Sequence, residues 1–273
     1  MKKCTVCGKD YIENPMLEVL PVSLKERLRY ISDCDCEHEL YKKEHEEKIK
    51  QQILENEKQS RINKVKKYKD ISVQDKKFFE STFENTEESN YTKYCEKYAN
   101  AFIVKENAPG IIFYGKVGTG KTHLAACISN RIMDNGKTVL TLNMSRYLGR
   151  LRKDWSEAEE DILKHVESVD LLVIDDFGVE NMTPCTYEKI FNLIDKRYRT
   201  GKACIITTNL NYSKNTEENE LAIKFKDEFG NNRISDRINE MCYPMLIEGE
   251  SRRKPDRNKF MEFLSWLNIL KKY

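Results

Sequence analysis

The feature that most constrains the fold of this 273-residue chain is a glycine-rich segment, residues 115–122, which reads Gly-Lys-Val-Gly-Thr-Gly-Lys-Thr. It follows a short apolar run, residues 111–114, and an apolar-faced helix is predicted from residue 123. A strand, a glycine turn and a helix N-terminus in this order direct backbone N–H groups at phosphate oxygens. The segment therefore predicts a nucleoside triphosphate site. The alternative is a glycine turn that matches the motif by accident, which the flanking strand and helix disfavour.

Two side chains of this loop have defined chemical roles. Lys121 reaches the β- and γ-phosphates, and the Thr122 hydroxyl holds Mg²⁺. The residues predicted to bind the nucleotide are Gly115, Lys116, Val117, Gly118, Thr119, Gly120, Lys121, Thr122 and His123.

Apolar runs and helical patterns alternate through the rest of the chain. This alternation predicts an α/β fold with a parallel sheet covered by helices on both faces and ligands at the carboxyl ends of the strands. The predicted strands are residues 111–114, 138–143, 171–174, 203–207 and 243–247, and the predicted helices include 123–134, 145–152, 157–167 and 185–199.

The composition excludes some functions. Charged residues make up 34% of the chain, but the net charge is only +2, so any nucleic-acid surface has to be local. The N-terminus lacks the apolar run of a signal peptide, and no apolar segment is long enough to span a bilayer. We expect a protein of the cytoplasm with no membrane partner.

Polar side chains follow two more of the predicted strands. Asp175 and Asp176 come directly after residues 171–174. Asp175 would reach the Mg²⁺ held by Thr122, and Asp176 would orient and deprotonate an attacking water. Asn209, at the tip of the next strand, would hold that water. The alternative is that both segments are simple polar turns.

Two arginines, Arg233 and Arg237, are spaced to project from one face of a helix. An arginine donated to the γ-phosphate across a subunit boundary accelerates hydrolysis by about 10³–10⁵. The alternative is a surface pair bridged by Asp236.

Four cysteines near the N-terminus have the spacing of a metal site. Cys4 and Cys7 form one pair and Cys34 and Cys36 a second, and four thiolates suit tetrahedral Zn²⁺. His38 is an alternative fourth ligand. The competing interpretation is a set of redox-active or unpaired thiols.

Composition divides the chain into three predicted parts. Residues 1–36 form a cysteine-rich module, residues 37–77 a charged helical linker, and residues 78–273 the nucleotide-binding domain. The linker has only a thin apolar stripe, which favours a solvated spacer over a coiled coil.

The order of these motifs resembles that of the AAA+ ATPases, in particular the DnaC/DnaI-type replicative helicase loaders and the IstB-type transposition helpers. The match runs from about Phe78 to Arg253. The resemblance implies that residues 115–122 bind ATP and Asp175 coordinates Mg²⁺. It also implies the remaining catalytic roles, namely a base at Asp176, a first sensor at Asn209, and an arginine finger at Arg237 with Arg233 as second candidate.

Two flanking segments extend the resemblance. Residues 78–85 resemble the family's segment before the first strand, where an aromatic side chain, here Phe83, lies near adenine. Residues 249–253 resemble its Gly-x-Ser-Tyr-Arg, with Arg252 in the tyrosine position, which leaves open whether Arg253 acts as a sensor or in trans. The predicted final helix, residues 258–273, implies no full C-terminal lid domain.

A loader also contacts single-stranded DNA, and the resemblance points to the basic helix after the second strand. The candidate contacts are Arg146, Tyr147, Arg150 and Lys153, with Tyr147 stacking on a base. The alternative is a solvated amphipathic helix with Leu148 and Leu151 inward.

By resemblance, the expected function is loading of a replicative helicase onto single-stranded DNA by a ring or spiral of identical subunits, with the zinc-bearing module docking the helicase. The first alternative is a transposition helper. A small-molecule kinase gives no role to Asn209 or to the arginine pair, and a non-catalytic adaptor would use nucleotide only as a switch.

Overall fold

A computed structural model describes residues 3–72, 76–105, 108–151, 157–212, 219–227, 230–253 and 257–266. The chain divides into two compact units, Met1–Ser60 and Arg61–Tyr273.

The first unit is small and buries few apolar side chains among its described residues. Strand β1 (Tyr11–Glu13) pairs antiparallel with β2 (Tyr30–Ser32), helix α1 (Val22–Lys25) lies between them in sequence, and α2 (Cys36–Ile71) follows. Val19 and Val22 are more than three-quarters exposed. Such short strands with little buried surface are not stable alone, so this unit requires another source of stability.

The second unit contains a five-stranded sheet in the order β4-β5-β6-β3-β7, and every neighbouring pair is parallel. The predicted fold class and parallel sheet are therefore confirmed. The strands are β3 (Gly110–Tyr114), β4 (Val139–Asn143), β5 (Leu171–Phe177), β6 (Cys204–Thr208) and β7 (Cys242–Leu246).

Helices connect and cover these strands. Ser89 caps the first of them, and Thr183 followed by Pro184 starts the longest described helix of the nucleotide-binding region. A 3₁₀ helix spans Lys76–Glu80, and the α-helices are α3 (Asn90–Val104), α4 (Lys121–Asp134), α5 (Met144–Leu151), α6 (Glu157–Ser168), α7 (Pro184–Thr200), α8 (Glu220–Lys224), α9 (Arg233–Met241) and α10 (Arg257–Trp266).

Buried side chains form two clusters, one on each face of the sheet. Ile112 and Leu140 pack with residues of α5 to α9, whereas Ile111, Phe113 and Val139 pack with residues of α3 and α4. Successive strand residues alternate between the clusters because strand side chains point to opposite faces. The continuous apolar strands seen in the sequence follow from this burial on both sides.

The predicted C-terminal helix is only partly described. Helix α10 is described as far as Trp266, and residues 267–273 lie outside the described residues. Within the described part of the chain, no helix has the length and apolar character needed to cross a membrane.

A fully buried arginine joins the amino ends of β5 and β6. Arg197 of α7 donates hydrogen bonds to the carbonyl oxygens of Val166, Val169, Asp170 and Ala203. Burial lowers the pKa of its guanidinium to about 10. The side chain therefore supplies hydrogen-bond donors to four backbone carbonyl groups around its buried position.

We predict that Arg197→Met lowers the free energy of unfolding by about 3 kcal/mol or more, because several buried carbonyls lose their donor. Urea unfolding measures the change. Arg199→Met is the control, since Arg199 is exposed and pairs with Asp195 of the same helix. Equal stability of the two variants would contradict the structural role.

Candidate nucleotide-binding site

The glycine-rich loop connects β3 to α4 and fits closely under the C-terminal segment. A Cβ at Gly115 would lie 2.6 Å from the Ile247 carbonyl oxygen, and one at Gly118 would lie 2.2 Å from Ser251 Oγ. Both glycines also have positive φ angles, so larger residues are excluded by backbone strain and by space.

The side chain of Lys121 folds back onto the glycine-rich loop. Its Nζ donates hydrogen bonds to the carbonyl oxygens of Gly115 at 2.8 Å and Lys116 at 2.7 Å. Burial lowers its pKa, while Asp176 and Asp175 oppose that shift. The ammonium group is thus held beside the first helical turn of α4, where N–H groups and the helix dipole favour an anion.

A cavity of about 350 Å³ opens beside this loop, a size typical of small-ligand sites. It brings together most of the predicted nucleotide-binding residues with Asp176 and Asn209. The lining residues are Phe78, Asn85, Thr86, Glu87, Val117, Gly118, Gly120, Lys121, Thr122, His123, Asp176, Asn209, Arg252 and Arg253.

The carboxylates at the end of β5 are arranged by an irregularity in the strand. The pairing of β5 with β6 shifts register between Ile174 and Phe177, and Asp176 has φ of 55°. A regular strand would send Asp175 and Asp176 to opposite faces, and this local change re-aims one of them.

Thr207 of β6 hydrogen-bonds to both Asp175 and Asp176. Its hydroxyl donates to Asp175 Oδ1 at 2.7 Å and accepts from the Asp176 N–H at 3.0 Å. Asn143, at the end of β4, donates from Nδ2 to Asp176 Oδ2 at 3.2 Å. Sequence reasoning gave no role to Thr207 or Asn143, although both lie at or next to the carboxyl ends of strands that neighbour β5.

The pKa of Asp176 is raised, first by burial and then by the Asp175 carboxylate, while Asn143, Arg253 and Lys121 act against the rise. A carboxylate with a raised pKa is a stronger proton acceptor. Carboxylate and hydroxyl oxygens, as supplied by Asp175 and Thr122, are the donors that Mg²⁺ prefers. The donor set therefore fits a magnesium nucleotide.

Two arginines from the segment after β7 reach the same cavity. The Arg252 N–H donates to the Gly118 carbonyl at 2.9 Å, and the side chains of Arg252 and Arg253 line the cavity. Arg253 is thus placed at the site of its own subunit. Arg252, which departs from the family's tyrosine, was not predicted to contribute.

The predicted adenine contact at Phe83 needs correction. Phe83 is buried in the core cluster beneath the Arg131 guanidinium and does not line the cavity, whereas Phe78 does. Thr82 and Asn85 bond reciprocally through side chain and backbone, and Phe83 between them points into the core. We assign the aromatic wall of the cavity to Phe78.

His123 lies in the cavity wall and is hydrogen-bonded. Its Nε2 is 2.7 Å from Thr86 Oγ1, and Cys127 Sγ lies within 3.6 Å. Burial, followed by the charge of Arg252, lowers the pKa of His123. Its neutral form is therefore favoured beside the loop.

The arginines of α9 lie away from this cavity. Arg237 pairs with Asp195 Oδ1 at 2.8 Å, and its guanidinium lies over the rings of Phe191 and Tyr198. Arg233 is 59% exposed and is 3.7 Å from Asp227 Oδ2, whereas Arg237 is only 23% exposed. Neither residue serves the nucleotide cavity of its own subunit.

The side chains of the four N-terminal cysteines lie close together in space. Their sulfur atoms all lie within 4.8 Å of one another, and tetrahedral Zn–S bonds would place sulfurs about 3.8 Å apart. Hydrogen bonds with Cys7 and Cys34 raise the pKa of Cys36 to about 12. The Gly8 N–H donates to the Cys4 carbonyl in the turn between the first pair. The sulfurs fit a zinc ion, and the side chain of His38 lies outside the described residues.

The predicted DNA-contacting helix needs one correction. Tyr147 is fully buried among core residues and cannot stack on a base, whereas Arg146 and Arg150 are exposed. Met144, Tyr147 and Leu151 form the inward face of α5, with Leu148 partly buried beside them. Lys153 lies outside the described residues.

A phosphate-type loop after β3, paired carboxylates near the end of β5 and the strand order β4-β5-β6-β3-β7 together define a P-loop nucleotide-binding domain with the AAA+ fold. Residues 33–260 match the family described as IstB-like ATP binding protein. The chain belongs to this family of ATP-binding proteins.

Curated relatives match part of the chain. The replicative helicase loader DnaC of Escherichia coli (strain K12) is 34% identical over 147 residues, which are 49% of this chain and 59% of the relative. DnaC of Buchnera aphidicola subsp. Acyrthosiphon pisum (strain APS) is 33% identical over 126 residues, 44% of this chain and 50% of the relative. The chain thus spans 50–59% of the length of these relatives.

Solved structures share the fold. The crystal structure of the DnaC helicase loader has a TM-score of 0.52 at 24% identity, covering 64% of this chain and 100% of that one. The crystal structure of DnaI has a TM-score of 0.51 at 20% identity, covering 67% and 95%. At such identities these likenesses establish the architecture.

We predict that Thr207→Val weakens binding of ATP with Mg²⁺ at least tenfold and leaves binding in EDTA unchanged. Residues that orient a metal ligand typically contribute about 10- to 100-fold to metal affinity. Equilibrium binding of a fluorescent ATP analogue, with and without Mg²⁺, measures the effect. Thr207→Ser, which keeps the hydroxyl, should bind like the parent. An equal loss in both variants would show that the hydroxyl is not responsible.

Proposed function

We propose that this protein is an ATP-hydrolysing factor of the cytoplasm that loads a replicative helicase onto single-stranded DNA. The observation that carries the proposal is the shared cavity of Lys121, Asp176, Asn209 and Arg253 in a chain that resembles the named loaders over almost half of its length. The cavity supports the ATPase reaction, and the relatives support the biological role.

The proposed reaction is attack of water on the γ-phosphorus of ATP, with cleavage of its bond to the β–γ bridging oxygen to give ADP and phosphate. Loop N–H groups and Lys121 bind the phosphates. Mg²⁺ held by Thr122 and Asp175 would offset their negative charge. Asp176 accepts the proton of the attacking water, and Asn209 orients that water. Arg253 adds positive charge from the same subunit.

We assign the arginine donated to a neighbouring subunit to Arg233 rather than Arg237. Arg237 is held by Asp195 and two aromatic rings, so moving it would break an ion pair and two cation–π contacts. Arg233 is the more exposed and has one longer ion pair. In this assignment Arg237 fixes α9 in place, and Arg233 projects from its first turn.

The cysteine cluster supports a zinc-stabilised docking module for the helicase. Zinc binding at such sites contributes about 10–16 kcal/mol, enough to hold a unit with so little buried apolar surface. Exposed apolar residues such as Val19 and Val22 would provide contact surface for a protein partner. Of the predicted DNA contacts, Arg146 and Arg150 remain the candidates.

The second candidate function is that of a transposition helper, because the matching family is described as IstB-like. The nucleotide cavity serves both functions equally. The partner held by the N-terminal module distinguishes them.

We predict that the full-length protein contains one zinc ion per chain and captures a replicative helicase from host extract. Metal analysis and mass spectrometry of the captured proteins measure the two properties. Cys7→Ser should lose both, whereas Cys185→Ser, at an exposed cysteine outside the cluster, should lose neither. Capture of a transposase instead of a helicase would favour the second function.

We predict that Arg233→Ala and Lys121→Met are each nearly inactive as ATPases, with rates at least 100-fold below the parent. Their mixture should recover activity, because an intact loop from the first variant meets an intact Arg233 from the second. Steady-state phosphate release measures the rates. Arg237→Ala is tested in parallel. If activity recovers when Arg237→Ala is mixed with Lys121→Met, but not when Arg233→Ala is, the arginine donated to the neighbour is Arg237 instead.

A further inference from the structure

A second, basic groove lies at the amino ends of β4 and β5, away from the nucleotide cavity. It has a volume of about 750 Å³. One wall is the last part of α2, and the other consists of the turns that precede the two strands. The residues that the argument uses are Arg61, Lys64, Lys67, Lys137, Thr138 and Asp170.

Hydrogen bonds and a ring contact hold the end of α2 against the other wall of the groove. Tyr68 of α2 hydrogen-bonds through its hydroxyl to Ser168 Oγ at 2.7 Å, and its ring meets the His165 ring edge-on. Ser72 Oγ accepts a hydrogen bond from the Thr141 N–H of the edge strand β4 at 3.0 Å. These contacts fasten the end of α2 to the sheet, so the helix and the opposite wall keep their separation.

The charge of the groove is strongly positive. Arg61, Lys64 and Lys67 have no ion-pair partner within 4.0 Å among the described residues. Asp170 is the one acid of the lining, and its Oδ2 accepts hydrogen bonds from the N–H and the hydroxyl of Thr138, both at 2.8 Å. Its charge is therefore partly satisfied, and Lys137 adds a fourth cation on the opposite wall.

The sequence of α2 changes where this groove begins. Acidic residues recur along the helix up to Glu57, and residues 58–69 then contain no acid but six lysines and arginines. Three of these cations, Arg61, Lys64 and Lys67, line the groove. At 1.5 Å per residue they extend about 9 Å along the helix, longer than a single phosphate group.

We propose that this groove binds the phosphodiester backbone of single-stranded nucleic acid through Arg61, Lys64, Lys67 and Lys137. A linear series of cations opposite a further cation matches successive phosphates of one strand. An acidic peptide fits less well, because Ile103 is the only aliphatic side chain in the lining to receive its apolar residues.

This site is distinct from the DNA contacts proposed on α5. The groove residue Thr138 immediately precedes β4, whereas α5 begins directly after its last residue, Asn143. The two surfaces lie at opposite ends of one strand. Groove binding does not require the loader function, and it needs no ATP.

The test measures binding of a fluorescent poly(dT) oligonucleotide to the full-length protein without nucleotide, by anisotropy at several salt concentrations. The triple variant Arg61→Gln, Lys64→Gln, Lys67→Gln should bind at least tenfold more weakly. The slope of log affinity against log salt should decrease in magnitude by about 2, since each phosphate contact on a single strand contributes about 0.7.

The matched control is Lys48→Gln, Lys50→Gln, Lys58→Gln, which makes the same charge change at exposed positions of the same helix outside the groove. It should bind like the parent. Both triples should bind ATP normally and keep the parent's unfolding midpoint, since only exposed side chains change.

Introducing the groove triple into an Arg146→Gln, Arg150→Gln background separates the two surfaces. A further tenfold loss of oligonucleotide affinity in this background supports binding in the groove, even if Arg146 and Arg150 themselves do not contact DNA. The proposal is overturned if the groove triple and the control bind alike, or if inorganic phosphate displaces the oligonucleotide at equal phosphate concentration. It is also overturned if an acidic protein, but no oligonucleotide, binds the groove.

Discussion

The candidate site depends on one hydroxyl group, that of Thr207, which bonds to the side chain of Asp175 and to the backbone of Asp176. Adjacent strand residues normally face opposite sides of a sheet. The irregular end of β5 places Asp176 in the cavity lining, and Thr207 of the neighbouring strand hydrogen-bonds to both carboxylate residues. Metal binding and proton acceptance can therefore be divided between two carboxylates that are consecutive in sequence.

The charges around the cavity explain why a nucleotide suits it. Lys121, Arg252 and Arg253 contribute cations, while Asp175 and Asp176 contribute carboxylates at one edge. The Lys121 ammonium group is occupied by two loop carbonyls, which a phosphate can replace with stronger, charge-assisted bonds. The site gains most from a ligand that carries several negative charges and a divalent cation.

The sheet, the loop and the acidic pair could be predicted because each leaves a local pattern in sequence. Phe83 and Tyr147 could not be placed in this way. Each is an aromatic residue near a functional segment, and its orientation depends on a turn or on helix phase that the composition does not fix. Arg252 was missed because its role comes from a backbone bond to Gly118, a contact between segments far apart in sequence.

The strands β4 and β5 separate the nucleotide cavity from the basic groove. From Thr138 to Asn143, a rise of about 3.3 Å per residue gives a distance of about 17 Å. The Debye length at physiological ionic strength is about 8 Å, so phosphates at the two ends are largely screened from each other. Since the two strands are buried and hydrogen-bonded to each other, they also hold the two ends at a constant distance. ATP and a nucleic acid strand can therefore occupy one subunit together without an electrostatic penalty that would make them compete.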